Sequence, residues 1–279
     1  MKNLLENALL VNLKINQWTA RRHDKQVSRE IEIEHNSHNA GRFNKILINE
    51  DEMRKIQKVA SAARTYLYDN TLPWSDGGDR LLPATNYFAF VGEFRTFKDQ
   101  YEEAVSAFIL KYDTLIEEAR VRLNGMFREN DYPPITALQT KFNIGITFMP
   151  LSDLTDFRLQ IDQKEVEKIK GQMQIEIETR IKEATQNIWE RIRIAVGHMA
   201  EQLSKDDSKI HSSLVSNMLE LIELLPRLNF TSDDEITDTI DSMKQLIVPV
   251  ESLRTNKDLR RVKANEAQRI FDKVSEFIL

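Results

Sequence analysis

The chain has 279 residues, of which 41% are hydrophobic and 30% are charged, and its formal net charge is −5. This balance supports a packed core beneath a charged surface, and it excludes a protein that is basic throughout, as many nucleic-acid binders are. The sequence has no cysteine, which excludes disulfides, thiolate nucleophiles and zinc sites with cysteine ligands. Glu6 and Asn7 interrupt the apolar start and no 18-residue apolar run exists, so we expect a cytoplasmic protein without a signal peptide or membrane span.

Strand periodicity occurs at three places. Residues 11–18 alternate apolar and polar side chains, which is typical of a strand with one buried face. The segments 144–149 and 157–161 are short and apolar, and the polar loop between them predicts an antiparallel hairpin. We therefore expect a small sheet, formed either by this hairpin alone or by three strands that include 11–18.

Three helices are predicted in the N-terminal part, because apolar residues recur there at helical spacing. They cover residues 50–69, 96–124 and 135–142. The first has a capping-box-like start, since Asn49 precedes Glu52 by three residues. Residues 24–35 fit either a helix or a strand, and the pattern leaves both open.

One very long helix is predicted from about 163 to 204. Between Val166 and Leu203, apolar residues recur every three or four positions with a mean step of about 3.7, which is the period of a single continuous helix. An average helix in a globular protein has about 11–12 residues. A stripe this long must be covered along its length, either by the rest of the chain or by another subunit.

The C-terminal part is predicted to form a helical bundle. Helices are expected over 208–225, where Pro226 ends the pattern, over 233–246 and over 252–278. The whole chain is therefore predicted to be mainly α, a helical bundle with one very long helix and a small antiparallel sheet. We expect two parts, residues 1–161 with the sheet and residues 162–279 with the long helix and the bundle.

The stretch TLPWSDGGDRLLPATNYF, residues 71–88, interrupts the helical pattern. Pro73 and Pro83 disfavour helix in the residues before them, and Gly77-Gly78 allows a tight turn with positive φ. We interpret the stretch as a corner that fixes how the helices 50–69 and 96–124 meet. If the stretch has a function beyond this structural role, docking of a protein partner is the favoured one, and catalysis ranks below it. The candidate docking residues are Trp74, Asp76, Asp79 and Arg80.

No motif for nucleotide binding or for a serine nucleophile is present. His35 and His38 follow three glutamates and could bind a metal, but they lie in a polar break where such residues are common. Acid–base catalysis requires two carboxyl groups in unlike environments. Nothing in the sequence indicates such a difference within the pairs Asp76/Asp79 and Asp153/Asp156. We predict no catalytic residue, no cofactor and no metal.

Two basic segments, 14–64 and 254–263, could contact phosphates. They could equally meet the acidic stretch 233–241 of a neighbouring molecule, or simply form solvated surface. Aromatic residues concentrate between Tyr66 and Tyr132, which favours an aromatic core over an exposed base-stacking surface. The candidate nucleic-acid contacts are Arg21, Arg22, Lys25, Arg254, Lys257 and Arg261, with the last three on one helical face.

Five motifs occur in a fixed order: ARRHDKQVS, TLPWSDGGDRLLP, FILKYDTLIEEA, NDYPP and PLSDLTDFRL. Together they resemble an uncharacterised family of bacteriophage, prophage and plasmid proteins, a domain of unknown function, over roughly residues 15–205. Genes for MoxR-type AAA+ ATPases and von Willebrand A domain proteins often lie near that family. The resemblance implies an accessory or scaffold role beside an ATPase, and it supplies no catalytic residue.

Three functional hypotheses follow. The first is a non-enzymatic phage-type accessory or scaffold protein that self-associates through helices and could serve an AAA+ partner. The second is a nucleic-acid-binding protein of phage DNA metabolism, which would use the two basic segments. The third is an enzyme of unknown class, with Asp and His residues near the 71–88 stretch.

Overall fold

The computed structural model describes residues 6–151, 162–205 and 209–278. Within these residues the helices are α1 Lys25–Glu34, α2 Glu50–Asn70, α3 Tyr87–Leu110, α4 Tyr112–Leu123, α5 Ile135–Gln139, α6 Gln163–Ser204, α7 Ser212–Leu228, α8 Asp234–Lys244, α9 Val250–Thr255 and α10 Lys257–Ser275. The strands are β1 Ala8–Asn16, β2 Arg21–His23, β3 Asn44–Ile46, β4 Leu72–Pro73, β5 Arg80–Pro83 and β6 Asn143–Met149.

The predicted fold class is confirmed, because the protein is mainly helical and has one 42-residue helix and a small antiparallel sheet. Four strands form the larger sheet in the order β4-β5-β1-β6, and β5 pairs antiparallel with both β4 and β1. A second sheet consists of the antiparallel pair β2 and β3. The predicted strand 157–161, and with it the predicted hairpin partner of β6, lies outside the described residues.

The ambiguous segment 24–35 is a helix. Asp24 caps it, since one carboxylate oxygen accepts hydrogen bonds from the backbone N–H groups of Gln26 and Val27. Such a cap satisfies two of the N–H groups that have no partner inside the helix. The cap decides in favour of helix α1, whereas Ile31 and Ile33, which suggested a strand, are exposed.

Two predicted helices are wrong in their continuity, and several bounds are also wrong. The helix predicted from residue 96 begins at Tyr87, and the helix predicted over 135–142 ends at Gln139. The predicted helix 96–124 is interrupted at Lys111, whose N–H bonds to the Phe108 carbonyl three residues back. The predicted helix 252–278 is divided at Asn256, whose side chain caps α10 by accepting from the Leu259 N–H. Helix α7 continues through Pro226 to Leu228, because Pro226 lies in the last turn and removes only one terminal hydrogen bond.

The chain divides into two compact units, and neither is a continuous stretch of sequence. The first contains Met1–Asn12, Leu67–Phe90 and Thr147–Leu279, and the second contains Leu13–Tyr66 and Val91–Ile146, each through its described residues. The sequence-based division into 1–161 and 162–279 stays a prediction.

The core of the first unit is built on the C-terminal half of α6. Helix α10 packs along it in the opposite direction, so that Arg260 donates to the Leu203 carbonyl oxygen at one end and Phe277, just after α10, stacks on Trp189 at the other. The two stacked rings have centroids 4.5 Å apart. The apolar residues of α7 and α8 complete this core.

Gly197 marks the closest approach of α10 to α6. A Cβ atom at this position would lie 2.9 Å from both the Cδ2 and Cε2 atoms of Phe271. We expect Gly197→Ala to lower the free energy of unfolding by up to about 2 kcal/mol, because overpacking costs about 1–3 kcal/mol and the gain in helix propensity offsets roughly 1 kcal/mol of it. Urea denaturation would measure this effect. In a Phe271→Ala background the same substitution should become stabilising, and a loss of stability there would contradict the proposed contact.

The second unit has the aromatic core that the sequence predicts. Tyr101, Phe108 and Tyr112 are buried, and the Phe108 ring contacts those of Tyr112 and Phe142 at centroid distances of 6.0 and 5.9 Å. The phenol groups of Tyr101, Tyr112 and Tyr132 each donate to a backbone carbonyl oxygen. Burial raises the pKa of each of these phenols. They therefore act as structural donors at neutral pH.

A buried lysine joins three segments of the second unit. The Lys45 side chain is only 2% exposed, and its ammonium lies 3.2 Å from an Asp24 carboxylate oxygen and 2.7 Å from one of Asp131. It also donates to the Met126 carbonyl oxygen at 2.8 Å. Burial alone would raise the pKa of Asp24, but the Val27 N–H and Lys45 outweigh it and hold the pKa below its usual value.

Candidate functional site

Within the stretch 71–88, strands β4 and β5 form a β-hairpin over residues 72–83, where the sequence predicted a corner, and helix α3 begins at Tyr87. Strands β4 and β5 pair, and the Ser75 N–H donates to the Asp79 carbonyl oxygen across the turn between them. Gly78 has φ +91°, a conformation that glycine adopts without the steric cost of a Cβ. Leu72, Leu81 and Leu82 are fully buried. The hairpin is thus an integral part of the four-stranded sheet.

The four candidate docking residues have different surroundings. Trp74 is 9% exposed and belongs to the core of the first unit, and its carbonyl oxygen accepts a hydrogen bond from Arg180 of α6. Asp79 is half-buried, and its carboxylate accepts from the Asn12 side chain at 2.9 Å and from the Ser75 hydroxyl at 3.3 Å. Asp76 is exposed at the turn. Among these three, Asp76 alone is freely presented to solvent.

Arg80, the fourth candidate, binds the end of helix α2. Its Nε atom donates to the Thr71 hydroxyl at 2.6 Å, and a terminal nitrogen donates to the Thr71 carbonyl oxygen at 3.1 Å. Its guanidinium carbon lies 4.5 Å from the centre of the Tyr68 ring, in cation–π geometry. Burial, followed by the nearby charge of Arg191, lowers the pKa of Arg80 to about 10.

Arg191 of α6 binds the same helix end and was not singled out by sequence reasoning. It donates to the carbonyl oxygens of Tyr68 and Thr71, both at 2.8 Å, and to that of Asp69. Carbonyl groups at a helix C-terminus have no partner within the helix and carry partial negative charge, which cations stabilise. The two arginines therefore bind the same carbonyl groups of residues 68–71, within the first unit, and link them to the hairpin and to α6.

The N-terminal half of α6 is different, because its apolar stripe lies outside both cores. Val166 is buried and Ile169 and Met173 are half-buried, but none of these three belongs to either apolar core of the described residues. Ile175 is 66% exposed. From Ile177 onward the stripe joins the core of the first unit. The stripe thus extends at least three helical turns beyond that core.

A family model described as "Protein of unknown function (DUF3150)" matches residues 5–205. The chain belongs to the DUF3150 family. No curated protein and no solved structure matches it. The DUF3150 match ends one residue after α6, so the hairpin, the two arginines and the whole apolar stripe lie within it, and helices α7–α10 lie beyond it.

The basic candidates of this DUF3150 protein fall into two groups in different units. In the second unit, Arg21 pairs with Glu50 at 2.5 Å and Arg22 lies 3.8 Å from Asp131, while Lys25 is exposed.

In the first unit, Arg254 donates to the Ile210 carbonyl oxygen at 2.9 Å and pairs with Glu251. It lies in α9, whereas Lys257 and Arg261 lie in α10, so the predicted single helical face is interrupted. Arg261 is 3.9 Å from Asp258, and Lys257 is exposed.

The positions weighed for metal binding and catalysis show no assembled site. His35 ends helix α1, and no group of three or more His, Asp or Glu residues in the described part of the chain could hold a metal ion. Asp153 and Asp156 lie outside the described residues. Across the described helices, none combines the length and apolarity needed to cross a membrane.

Proposed function

We propose that this DUF3150 protein is a non-enzymatic accessory or scaffold protein that acts through helix-mediated protein–protein interaction and self-association. The supporting observation is that the apolar stripe of α6 continues beyond the core of the first unit through Ile169 and Met173, which are only half-buried, whereas Val166 at its start is already buried. Apolar side chains at this spacing are stabilised when a second helix packs on them. The described residues supply no catalytic constellation that would favour an enzyme.

Size-exclusion chromatography with light scattering tests the proposal on the full chain. We expect the wild type to self-associate and Met173→Glu to weaken association at least tenfold, since burying a carboxylate in an apolar contact costs more than about 1.4 kcal/mol. Gln172→Glu is the matched control, because it adds the same charge one position away at an exposed site. Circular dichroism should show both variants folded. A strictly monomeric wild type, or equal loss in both variants, would contradict self-association.

The finer parts of the proposal are a phage or plasmid origin, a location in the bacterial cytoplasm and a MoxR-type AAA+ ATPase as partner. They rest on the order of the five motifs, from ARRHDKQVS to PLSDLTDFRL, and on the family membership. Affinity purification of the tagged chain from cells that express its neighbouring genes would test the partner. An ATPase should co-purify with the wild type, and its absence under ATP-bound conditions would oppose this part.

The two alternatives receive less support from the geometry. Four of the six candidate nucleic-acid contacts already have carboxylate neighbours within 4 Å, or donate to a backbone carbonyl, which reduces the charge free for phosphates. For an enzyme, Asp79 is committed to two hydrogen bonds and Asp76 is solvent-exposed, so the pair lacks the protected environment that shifts a catalytic carboxyl. We therefore retain protein–protein interaction as the proposed function.

A further inference from the structure

A groove of about 470 Å³ lies between the C-terminal half of α6 and the beginning of α7. Its floor is apolar and includes the buried side chains of Ile210, Leu214 and Met218. Ile194 forms one wall and is 59% exposed, an unusual fraction for an isoleucine beside a core. This volume falls in the range of about 300–1,000 Å³ that is typical of small-molecule sites.

The shape of the groove favours a small molecule over a peptide helix. On α6 it extends from Ile194 to Gln202, which is about 12 Å at the rise of an α-helix. The segment Lys209–His211 lines the groove beyond α6. Arg254 fixes that segment by its hydrogen bond to the Ile210 carbonyl oxygen. At a pitch of about 5.4 Å per turn, a length of about 12 Å holds only about two turns of a peptide helix.

The rim of the groove carries hydrogen-bonding side chains and one ammonium group. Lys209, His198 and His211 line it, and none of the described lining residues is Asp or Glu, although the chain has 44 acidic residues. An apolar floor beside the ammonium of Lys209 complements a molecule with an apolar body and one negative charge.

We propose that this groove binds a small carboxylic acid with an aliphatic or aromatic body. The body lies on Ile194, Leu214 and Met218, and the carboxylate faces Lys209. The inference is independent of self-association, because it concerns the opposite end of α6 from the stripe of Val166, Ile169 and Met173.

Isothermal titration calorimetry of the full chain with octanoate, octanol and octylamine tests the proposal. We expect octanoate to bind at one site and more tightly than either of the others. Lys209→Ala should weaken octanoate about fivefold, as expected for loss of an exposed charge-assisted contact. Octylamine tests the opposite charge preference. Asp206 and Asp207 precede Lys209 in the sequence and lie outside the described residues, and carboxylates near the groove would favour an amine. Tighter binding of octylamine would overturn the proposal, as would undetectable binding of octanoate.

A matched pair of variants locates the site. Ile194→Glu should abolish octanoate binding, because it places a carboxylate in the apolar wall, and its exposure should leave the fold intact. Ile175→Glu makes the same change at a similarly exposed position of α6 outside the groove, and it should leave binding unchanged. Equal affinities in the two variants would place any octanoate site elsewhere and overturn the assignment.

Discussion

Replacing Lys45 with Met is expected to lower the free energy of unfolding of the second unit by about 3–5 kcal/mol. The reason is that Asp24 and Asp131 would lose the buried ammonium that compensates them, and an unpaired buried charge costs far more than a weak surface ion pair. Urea denaturation would give the magnitude. Hydrogen exchange by mass spectrometry would show whether protection is lost around α1, which Asp24 caps, and around β3, which contains Lys45.

The pH dependence provides a second measurement of the same contact. The pKa of Asp24 is lowered in the folded state, so its contribution is present above the unfolded value of about 3.9 and is lost as the pH falls through the lower folded value. Without Lys45, burial raises the pKa of Asp24 in the folded variant. The difference between wild type and Lys45→Met should therefore shrink as the pH falls from that raised pKa to the lowered pKa of the wild type. Adding Asp24→Asn and Asp131→Asn to Lys45→Met should restore much of the stability. A constant difference down to pH 2 would argue against the charge-based explanation.

Replacing Trp74 with Ala is expected to destabilise the first unit by about 3–5 kcal/mol. Its indole is 9% exposed and lies in the apolar core with Leu72, Leu81 and Ile188 of α6, so truncation leaves a large cavity. Thermal unfolding followed by circular dichroism would measure the loss. A loss of this size would show that the β4–β5 hairpin contributes to the stability of the fold.

The docking interpretation of the hairpin makes a different prediction. If the hairpin is mainly a partner surface, Trp74→Ala should retain its stability and lose partner binding. Asp76→Lys is the comparison variant, because Asp76 is exposed at the turn and its substitution should change stability by less than about 0.5 kcal/mol. Loss of co-purifying partner in Asp76→Lys with unchanged stability would assign the docking role to the turn.

Local patterns predicted the regular elements well where one period extended over many residues. Helix α6 covers Gln163–Ser204 against a predicted 163–204, because an apolar stripe repeated over 40 residues admits one conformation. Strands β1 and β6 were also predicted, from alternation and from a short apolar run. The errors in continuity lie at Lys111 and Asn256, where a single residue divides a pattern whose periodicity continues on both sides.

The hairpin shows why a short segment is harder to interpret. Strand β4 has two residues and β5 has four, which is too few for a period to be recognised. These residues become strands because β5 pairs with β1, about 70 positions away in the chain. A pairing of that sequence separation leaves no local signal.

The amino-acid sequence by itself determined the mainly α class, the long helix and the absence of cysteine chemistry, because composition and periodicity are local properties. Only the tertiary structure decided the roles of Lys45, Arg80 and Arg191. Lys45 pairs with Asp131, far away in the sequence, and the two arginines bind Thr71 at the end of a helix. Burial distinguishes a cation that fixes a fold from one that is free to bind a partner. The burial of a side chain depends on which segments pack against it, and local sequence patterns do not determine that packing.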